Sequence, residues 1–436
     1  MLLASYYFYM CWEPVYALLL LTSTSITYIS ALCMDRFRSR RRRKISLFSG
    51  IFINLGILFF YKYYEFAGSL ITDFFSLLNI GIDIPRWNVL LPVGISFYIF
   101  QAVGYAVDVY RGTIKAEKNF VVYALFISFF PQLVAGPIER AKNMLPQFRE
   151  KHKFSYENFD AGLRLMIWGF FMKLCVADRV STYVDAVYNN YMEHSGVSLL
   201  LATFFFTFQI YCDFAGYSLI AIGSSKMMGF TLMENFHRPY FAKSIKEFWR
   251  RWHISLSTWF KDYLYIPLGG NRKGNAWTFF NLLIVWVVTG MWHGSTINFP
   301  LWGLILFVFI ALERFVIRNF LEKHGWLAHL YIWFVIPLTW VVFAITKLSD
   351  LKVYFARLFP FFGTGIAVNA GDYLKYGRTY GVFFLLAFVV SLPFMDKILK
   401  KCWKKWWMKA ILFVVLWICI YQIANGLNNP FMYFSF

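Results

Sequence analysis

Two histidines, which are residues able to transfer a proton, lie beside apolar or aromatic sequence. His293 ends an apolar run in residues 289–294 (TGMWHG), five residues before the next apolar run. An imidazole titrates near neutral pH, so it can take a proton from an attacking hydroxyl and return it to a leaving group. The flanking Gly290 and Gly294 would let backbone or substrate approach closely. From context alone, however, such a histidine more often caps a helix or bonds a carbonyl.

The other histidine, His253, lies among aromatic and basic residues in 248–255 (FWRRWHIS). On a helix it would share a face with Ser257, four residues further on. It could orient a substrate or line a path to the site. The alternative is an interfacial histidine packed among aromatic rings, and the residues themselves favour that alternative.

A third candidate group is the pair Gln209 and Asp213, four residues apart inside a long apolar run. A carboxyl group in such surroundings must be neutral, paired or exposed to a cavity. We expect a structural pair, in which Asp213 contacts a basic residue of 238–251 or a tyrosine hydroxyl. The alternative is a coupling role in a non-catalytic permease or flippase.

Several familiar catalytic motifs are absent from the sequence. It contains no GxSxG nucleophile elbow, no GxxxxGK[ST] phosphate-binding loop, no HExxH helix and no CxxC pair, and its six cysteines are scattered. We therefore expect no metal site and no bound cofactor. Direct attack by an activated substrate hydroxyl on a thioester would suit a histidine that has no partner nucleophile.

The composition indicates that transmembrane helices hold these residues in place. Of the 436 residues, 59% are hydrophobic and only 15% are charged, whereas a soluble domain has about a quarter charged residues. A helix crosses a bilayer with roughly 20 apolar residues. We predict an all-α polytopic protein, a single domain over residues 1–436, with about 11 to 12 spans. Ten of these are predicted at 45–61, 66–80, 89–109, 120–137, 160–176, 198–222, 277–292, 298–315, 330–346 and 380–395.

The formal net charge of +20 comes from basic clusters beside apolar runs, chiefly at residues 36–44 and 397–409. Cytoplasmic loops collect Lys and Arg, and Trp favours the membrane interface. We therefore interpret the charge as a determinant of membrane topology and expect no nucleic-acid partner. The apolar start lacks a basic region ahead of it, so we expect no cleavable signal peptide.

The stretch 223–276 is too polar for a span and too aromatic for a free loop. An amphipathic helix that lies at the interface or re-enters the bilayer has this composition. Residues 268–272 (LGGNR) predict a tight turn after it.

Residues 248–274 (FWRRWHISLSTWFKDYLYIPLGGNRKG) and 289–294 (TGMWHG) resemble the bacterial alginate O-acetyltransferase branch of the membrane-bound O-acyltransferase superfamily. The resemblance covers nearly the whole chain. Further matching segments are 91–112 (LPVGISFYIFQAVGYAVDVYRG), 130–140 (FPQLVAGPIER), 211–223 (YCDFAGYSLIAIG), 235–240 (NFHRPY), 298–314 (NFPLWGLILFVFIALER) and 431–436 (FMYFSF). Residues 2–9 resemble the second helix of the family, which implies that a first helix is missing.

The resemblance implies that His293 is the catalytic residue and His253 a second active-site residue. It also implies a ring of transmembrane helices around shorter re-entrant ones. An acyl group, usually acetyl, would pass from a cytoplasmic thioester donor onto a polysaccharide hydroxyl, often through an extracytoplasmic partner protein. Arg250 and Arg251 would then attract the phosphates of an acyl-CoA.

We therefore predict an O-acetyltransferase that modifies a cell-envelope or secreted polysaccharide from within the cytoplasmic membrane of a bacterium. Its donor would be acetyl-CoA or an acyl-carrier thioester. Two alternatives remain open, D-alanyl transfer to teichoic acid and a permease or flippase. Residues 265–274 (YIPLGGNRKG) favour acetyl over D-alanyl transfer, because the teichoic-acid group generally lacks this run.

Overall fold

The computed structural model describes residues 1–87, 90–360, 371–426 and 430–432. These residues form helices, turns and loops, with no β-strand among them, so the all-α prediction is confirmed. They pack into two compact units. The first comprises residues 1–158 and 228–233, and the second comprises 159–227 and 234–436.

In its described residues the first unit contains eight α-helices, and a π-helical turn at Phe59–Tyr63 joins α3 to α4. The α-helices are α1 Leu2–Met10, α2 Pro14–Arg36, α3 Arg40–Leu58, α4 Tyr64–Leu77, α5 Ile95–Arg111, α6 Phe120–Ser128, α7 Phe130–Leu133 and α8 Ala141–Arg149.

The second unit contains the candidate site. Its α-helices are α9 Tyr156–Phe170, α10 Asp178–Asn189, α11 Gly196–Met227, α12 Ile245–Arg251, α13 Ile254–Phe260, α14 Asn275–His293, α15 Asn298–Leu312, α16 Arg318–Lys323, α17 Gly325–Ala344, α18 Leu348–Leu358, α19 Asp372–Ser391, α20 Met395–Cys402 and α21 Trp406–Ala424. Short π-helical segments follow α9, α13 and α15, at Phe171–Ala177, Lys261–Tyr265 and Glu313–Ile317, and two 3₁₀ turns lie at Tyr191–Glu193 and Pro239–Phe241.

Within the described residues, seven helices are long and apolar enough to cross a membrane, or eight if α19 and α20, bent by 84°, form one span. The protein is thus polytopic, as predicted, but its long helices are fewer than the 11 to 12 predicted spans. The seven are Pro14–Arg36, Arg40–Leu77, Gly196–Met227, Asn275–His293, Asn298–Lys323, Gly325–Ala344 and Trp406–Ala424.

Breaks and fusions in the backbone account for part of the difference. The spans predicted at 45–61 and 66–80 belong to one 38-residue helix, because the π-helical turn at Phe59–Tyr63 continues α3 into α4. The span predicted at 120–137 is divided at Phe129, whose extended ψ precedes a helix with proline in its first turn. The span predicted at 89–109 begins only at Ile95, after Gly94 in the left-handed region, and Val89 lies outside the described residues.

Helices α9 and α11 approach each other backbone to backbone through two glycine pairs. A Cβ on Gly169 would lie 2.6 Å from the carbonyl oxygen of Gly216, and one on Gly162 would lie 2.5 Å from that of Gly223. Small residues allow this close packing between helices in membranes. It holds α11, which carries Asp213, firmly inside the second unit.

Residues 234–274 fold as short helices and turns inside the second unit, so this part of the stretch 223–276 is neither a span nor a free loop, as predicted, whereas residues 223–227 end the long helix α11 and 275–276 begin α14. The side chains of Ile245, Phe248 and Trp252 are fully buried. Ser244 caps α12 by accepting a hydrogen bond from the amide of Glu247 at 3.0 Å. The chain then leaves α12 and starts α13 at His253, so each helix is only seven residues long.

Candidate active site

His293 is the last residue of α14, and its side chain is almost completely buried, with 2% exposed. The imidazole lies edge-on to the rings of Trp302 and Phe343, at centroid distances of 5.1 and 5.4 Å. A Cβ on the next residue, Gly294, would lie 2.0 Å from a ring carbon of Phe299. The TGMWHG segment therefore needs its second glycine to place His293 in an aromatic box shielded from water, where interactions between charges are stronger than in bulk water.

Two further glycines fix His293 relative to the neighbouring helix α15. A Cβ on Gly290 would lie 2.3 Å from the carbonyl oxygen of Phe299, and one on Gly303 would lie 2.2 Å from that of Trp286. Helices α14 and α15 consequently touch through their backbones. This contact sets the position of Trp302 against His293 without reliance on flexible side chains.

His253 occupies the junction between α12 and α13 with φ 44° and ψ 55°, a left-handed conformation that is unusual for a residue other than glycine. Strain of this kind persists only where the surroundings enforce it. Asn235 provides the restraint, since its carbonyl oxygen accepts a hydrogen bond from the amide of Ile254 at 2.9 Å. Its side-chain oxygen lies 3.2 Å from Nδ1 of His253.

The amide of Asn235 also determines which nitrogen of His253 carries the proton. Its Nδ2 donates to Oγ of Ser218 at 3.2 Å, so the side-chain oxygen faces Nδ1 of His253 and can only accept. Nδ1 is then the protonated nitrogen, and Nε2 keeps the lone pair. The sequence shows Asn235 only as part of segment 235–240 (NFHRPY). Its role was not predicted, because an asparagine 18 residues away has no periodic relation to a histidine.

His253 is expected to make the stability of the protein depend on pH in the acid range. Burial lowers the pKa of this imidazole to about 3, whereas in the unfolded chain it is near 6.5. Below about pH 6.5 the unfolded chain gains a proton that the folded chain does not take up. The free energy of unfolding should therefore fall as the pH falls, by about 2 kcal/mol between pH 7 and pH 5 from this group.

Denaturation of the purified protein at the two pH values measures this effect. His253→Gln should remove that part of the pH dependence, and the exposed His324, changed to Ala, serves as the control that keeps it. Equal pH dependence in wild type and His253→Gln would show that the ring is protonated in the folded protein.

The indole of Trp292 contacts both candidate histidines. Its ring centroid lies 5.9 Å from that of His253 and 5.0 Å from that of His293. The structure thus places the two histidines, 40 residues apart in sequence, in contact with the same tryptophan. This arrangement agrees with one site to which both histidines belong.

A cavity of about 190 Å³ lies between α12, α13 and α14. Its walls are mainly apolar and aromatic, and Trp249 links it to the His293 box because its ring lies 5.6 Å from that of Trp302. Thr289, one helical turn before His293, also borders it. The lining residues are Lys246, Trp249, Arg250, Leu256, Ser257, Phe260, Lys261, Tyr265, Leu282, Val285, Trp286 and Thr289.

Three cationic side chains border this cavity, those of Lys246, Arg250 and Lys261, and all three residues are exposed. Partial burial of its amine lowers the pKa of Lys246, and the nearby guanidinium groups of Arg250, Arg314 and Arg318 lower it further. Cations crowded in this way repel one another, and a polyanion bound among them would relieve the repulsion. The cavity is therefore amphipathic, with positive charge beside apolar walls.

Arg250 and Arg251, both predicted to attract phosphates, have different surroundings. Arg250 borders the cavity. Arg251 forms an ion pair with Glu247, at 2.5 Å from Nη2 to Oε1, and donates to the carbonyl oxygen of Arg238 at 3.5 Å. The phosphate roles of Arg250 and Arg251 both stay predictions. Lys246 and Lys261 were not singled out from the sequence, because their position at the cavity depends on how α12 and α13 pack against α14.

Asp213 has a different partner from the one expected. It was predicted to pair with a basic residue of 238–251 or a tyrosine, but its Oδ1 lies 2.6 Å from Nζ of Lys173, in the π-helical segment after α9. Lys173 lies four residues after Gly169, one of the two positions at which α9 and α11 meet through their backbones, so its amine reaches the carboxylate. The structural pairing of Asp213 is confirmed, although the predicted partner was wrong.

No group of three or more His, Cys, Asp or Glu side chains in the described part of the chain is arranged to hold a metal ion.

Comparison with known proteins places this arrangement in context. The sequence profile of MBOAT, the membrane-bound O-acyltransferase family, matches residues 113–349. A probable alginate O-acetylase of Pseudomonas putida is 35% identical over 83% of this chain and 74% of its own length. A peptidoglycan O-acetyltransferase of Helicobacter pylori is 33% identical over 81% and 72%. A teichoic acid D-alanyltransferase of Bacillus subtilis is 27% identical over 56% and 64%.

Proposed function

Because the chain belongs to the membrane-bound O-acyltransferase family, we propose that it transfers acetyl groups from a cytoplasmic thioester donor to a cell-envelope or secreted polysaccharide. The observation that carries the proposal is the buried His293 in its aromatic box, joined through Trp302 and Trp249 to a cavity bordered by cations. Relatives named for alginate and peptidoglycan O-acetylation support acetyl as the group. The protein would act in the cytoplasmic membrane of a bacterium.

We propose acetyl-CoA as the donor. Its phosphates would lie among Lys246, Arg250 and Lys261, and its pantetheine arm and acetyl group would lie against the apolar walls. A guanidinium binds phosphate through paired N–H groups, and an ammonium acts as a point charge. The thioester carbonyl would then lie on the side of the cavity formed by Trp249 and Thr289, toward His293.

In the proposed reaction His293 acts as the general base. Its imidazole takes the proton of the acceptor hydroxyl while the oxygen attacks the thioester carbonyl, which forms a tetrahedral intermediate. The carbon–sulfur bond then breaks, and the imidazolium returns the proton to the departing thiolate, so the products are an ester and free CoA. His253, held as the Nδ1–H tautomer by Asn235, presents its Nε2 lone pair to accept a hydrogen bond that orients a hydroxyl.

The acceptor hydroxyl can belong to the polysaccharide itself or to an extracytoplasmic partner that carries the acetyl group onward. Both acceptors need the same proton transfer at His293. We propose such a partner protein on the far side of the membrane from the donor.

Neutralising the cations at the cavity is expected to weaken donor binding and leave the chemical step intact. Lys246→Gln and Arg250→Gln should each raise the KM for acetyl-CoA about 10-fold, since a charge-assisted hydrogen bond contributes about 1.5–3 kcal/mol. The kcat should stay within about 2-fold, because uniform binding affects KM alone. Steady-state kinetics at two salt concentrations measure both effects, and the KM of wild type should rise more steeply with salt than that of the variants.

Lys352, an exposed lysine on α18, provides the matched control. Lys352→Gln removes the same charge from the same unit and should leave the KM unchanged. If it raised the KM as much as Arg250→Gln, the effect would come from overall charge and the proposed phosphate site would be wrong.

The donor and acyl group are tested with purified protein in lipid vesicles. Labelled acetyl-CoA and a D-alanyl carrier-protein thioester are supplied separately, and consumption of each thioester is followed with an acceptor polysaccharide present. We expect His293-dependent consumption of acetyl-CoA. Consumption of the D-alanyl thioester alone would replace the proposal with D-alanyl transfer, the activity for which the B. subtilis relative is named.

A further inference from the structure

A buried cluster of charges lies beside the candidate site, in a part of the fold that the proposed reaction does not use. Lys173 is 4% exposed, and its Nζ lies 2.6 Å from Oδ1 of Asp178 and 2.6 Å from Oδ1 of Asp213. Its charge also faces the ring of Tyr217 at 5.6 Å from the ring centroid. The remaining oxygens of a buried carboxylate need hydrogen-bond donors in addition to the shared cation.

Residues 430–432 supply one such donor, and Lys173 in turn binds this segment. The backbone amide of Met432 donates to Oδ2 of Asp213 at 3.1 Å, and Nζ of Lys173 donates to the carbonyl oxygen of Pro430 at 3.3 Å. These two bonds fix the chain on either side of Phe431. Phe431 and Met432 belong to segment 431–436, which the sequence marks by its resemblance alone and of which 433–436 lie outside the described residues.

Phe431, fixed in this way, lies in the layer of rings behind His253. Its side chain is fully buried, with ring centroids 4.4 Å from Tyr217 and 5.4 Å from Phe214. Phe214 in turn lies edge-on to His253, at 4.7 Å between centroids. A continuous series of contacts thus runs from the charge cluster to the imidazole.

We infer that Phe431 is a positioning residue for His253, which it holds through the ring of Phe214, and that the Lys173–Asp213 pair clamps Phe431 in place. This inference rests on the proposed role of His253 in acyl transfer. Without the Phe431 ring, Phe214 gains space to move away from His253, and the imidazole loses the packing that opposes its strained backbone conformation. Asn235 would still hold Nδ1, so the effect falls on the placement of the ring and not on its tautomer.

The test is a double-mutant cycle between Phe431 and His253, because coupling separates positioning from a general loss of stability. Phe431→Ala should lower kcat about 10-fold in the wild-type background, since small displacements of a catalytic group are costly. In the His253→Gln background it should lower kcat by less than about 2-fold. Phe431→Leu, which restores most of the volume, should recover kcat to within about 3-fold of wild type.

Phe205 provides the matched control. It is equally buried and stacks on Phe384 at 4.6 Å, within the same unit. Phe205→Ala should change kcat by the same factor in both backgrounds. All rates are compared at equal amounts of folded protein, and if Phe431→Ala does not accumulate, Phe431→Val takes its place in the cycle.

An equal loss from the Phe431 substitution in both backgrounds, or no loss in either, would overturn the inference. Full activity of His253→Gln would also overturn it, because Phe431 would then have no group to position. That outcome would leave the proposed function standing, since acyl transfer is tested separately at His293.

Discussion

His293→Ala is expected to lower the kcat of acetyl transfer by about 100- to 10,000-fold, the usual contribution of a general acid–base group. The KM for acetyl-CoA should change little, because the cations that would bind the donor lie on α12 and the segment after α13. The substitution removes the only group in this aromatic box that we propose to accept a proton. Initial rates with purified protein in vesicles, with donor binding measured separately, give the two quantities.

The folded state has to survive the substitution for this result to be informative. His293 packs against Trp302 and Phe343, so a modest loss of stability is expected, and thermal unfolding should be recorded beside the rates. His293→Gln keeps more of the volume, and His324→Ala removes an exposed histidine from the same unit. We expect the same loss of rate for both His293 variants and no loss for His324→Ala. Wild-type kcat in folded His293→Gln would contradict this expectation.

Lys173→Met is expected to be the most destabilising single substitution among those described. It leaves the carboxylates of Asp178 and Asp213 buried without their shared cation, and breaking a buried ion pair in this way costs about 3–5 kcal/mol. The clamp on residues 430–432 would be lost with it, because Lys173 also binds Pro430. Chemical or thermal unfolding in detergent, and the amount of protein that inserts in the membrane, report the effect.

Two companion variants separate the charge effect from the loss of a long side chain. Neutralising both carboxylates together with Lys173, as Lys173→Met with Asp178→Asn and Asp213→Asn, should recover a large part of the stability. Arg318→Met removes the cation of an exposed ion pair with Glu322 and should have no measurable effect. If Lys173→Met were as stable as wild type, the cluster would not be the buried ion pair described above.

The same cluster bears on the permease alternative. A transporter that used Asp213 for coupling would lose function in Asp213→Asn more completely than in His293→Ala. The contacts of Asp213 with Lys173 and the amide of Met432 support a structural role instead. We therefore expect Asp213→Asn to lower stability and kcat, with acyl transfer still measurable at a temperature where the variant is folded.

The sequence was informative where a local pattern determined the structure. The apolar runs predicted helices, and the aromatic and basic composition of 223–276 predicted a segment that is neither span nor loop. The glycines of the TGMWHG segment predicted a close approach of backbone or substrate, and Gly290 indeed lies against the backbone of Phe299, whereas Gly294 lies against its ring.

The sequence was less informative where structure depends on packing between distant segments. The fusion of α3 and α4 into one helix depends on a π-helical turn, which has no distinct composition at Phe59–Tyr63. Lys173 pairs with Asp213, and Asn235 pairs with His253. Neither pair is related by a helical or strand repeat in the sequence. The cations at the cavity were only partly predicted for the same reason, since the arrangement of α12 against α14 decides which of them border it.

The most direct test of the central claim, that this protein O-acetylates a polysaccharide with His293 as its general base, is the amount of base-labile acetate on envelope and secreted polymers. A strain that lacks the protein is supplied with wild type, His293→Gln or His324→Ala at matched membrane levels. We expect wild type and His324→Ala to restore acetate in one polymer fraction and His293→Gln not to restore it. Equal acetate with His293→Gln, or restored D-alanine ester without any acetate, would contradict the central claim.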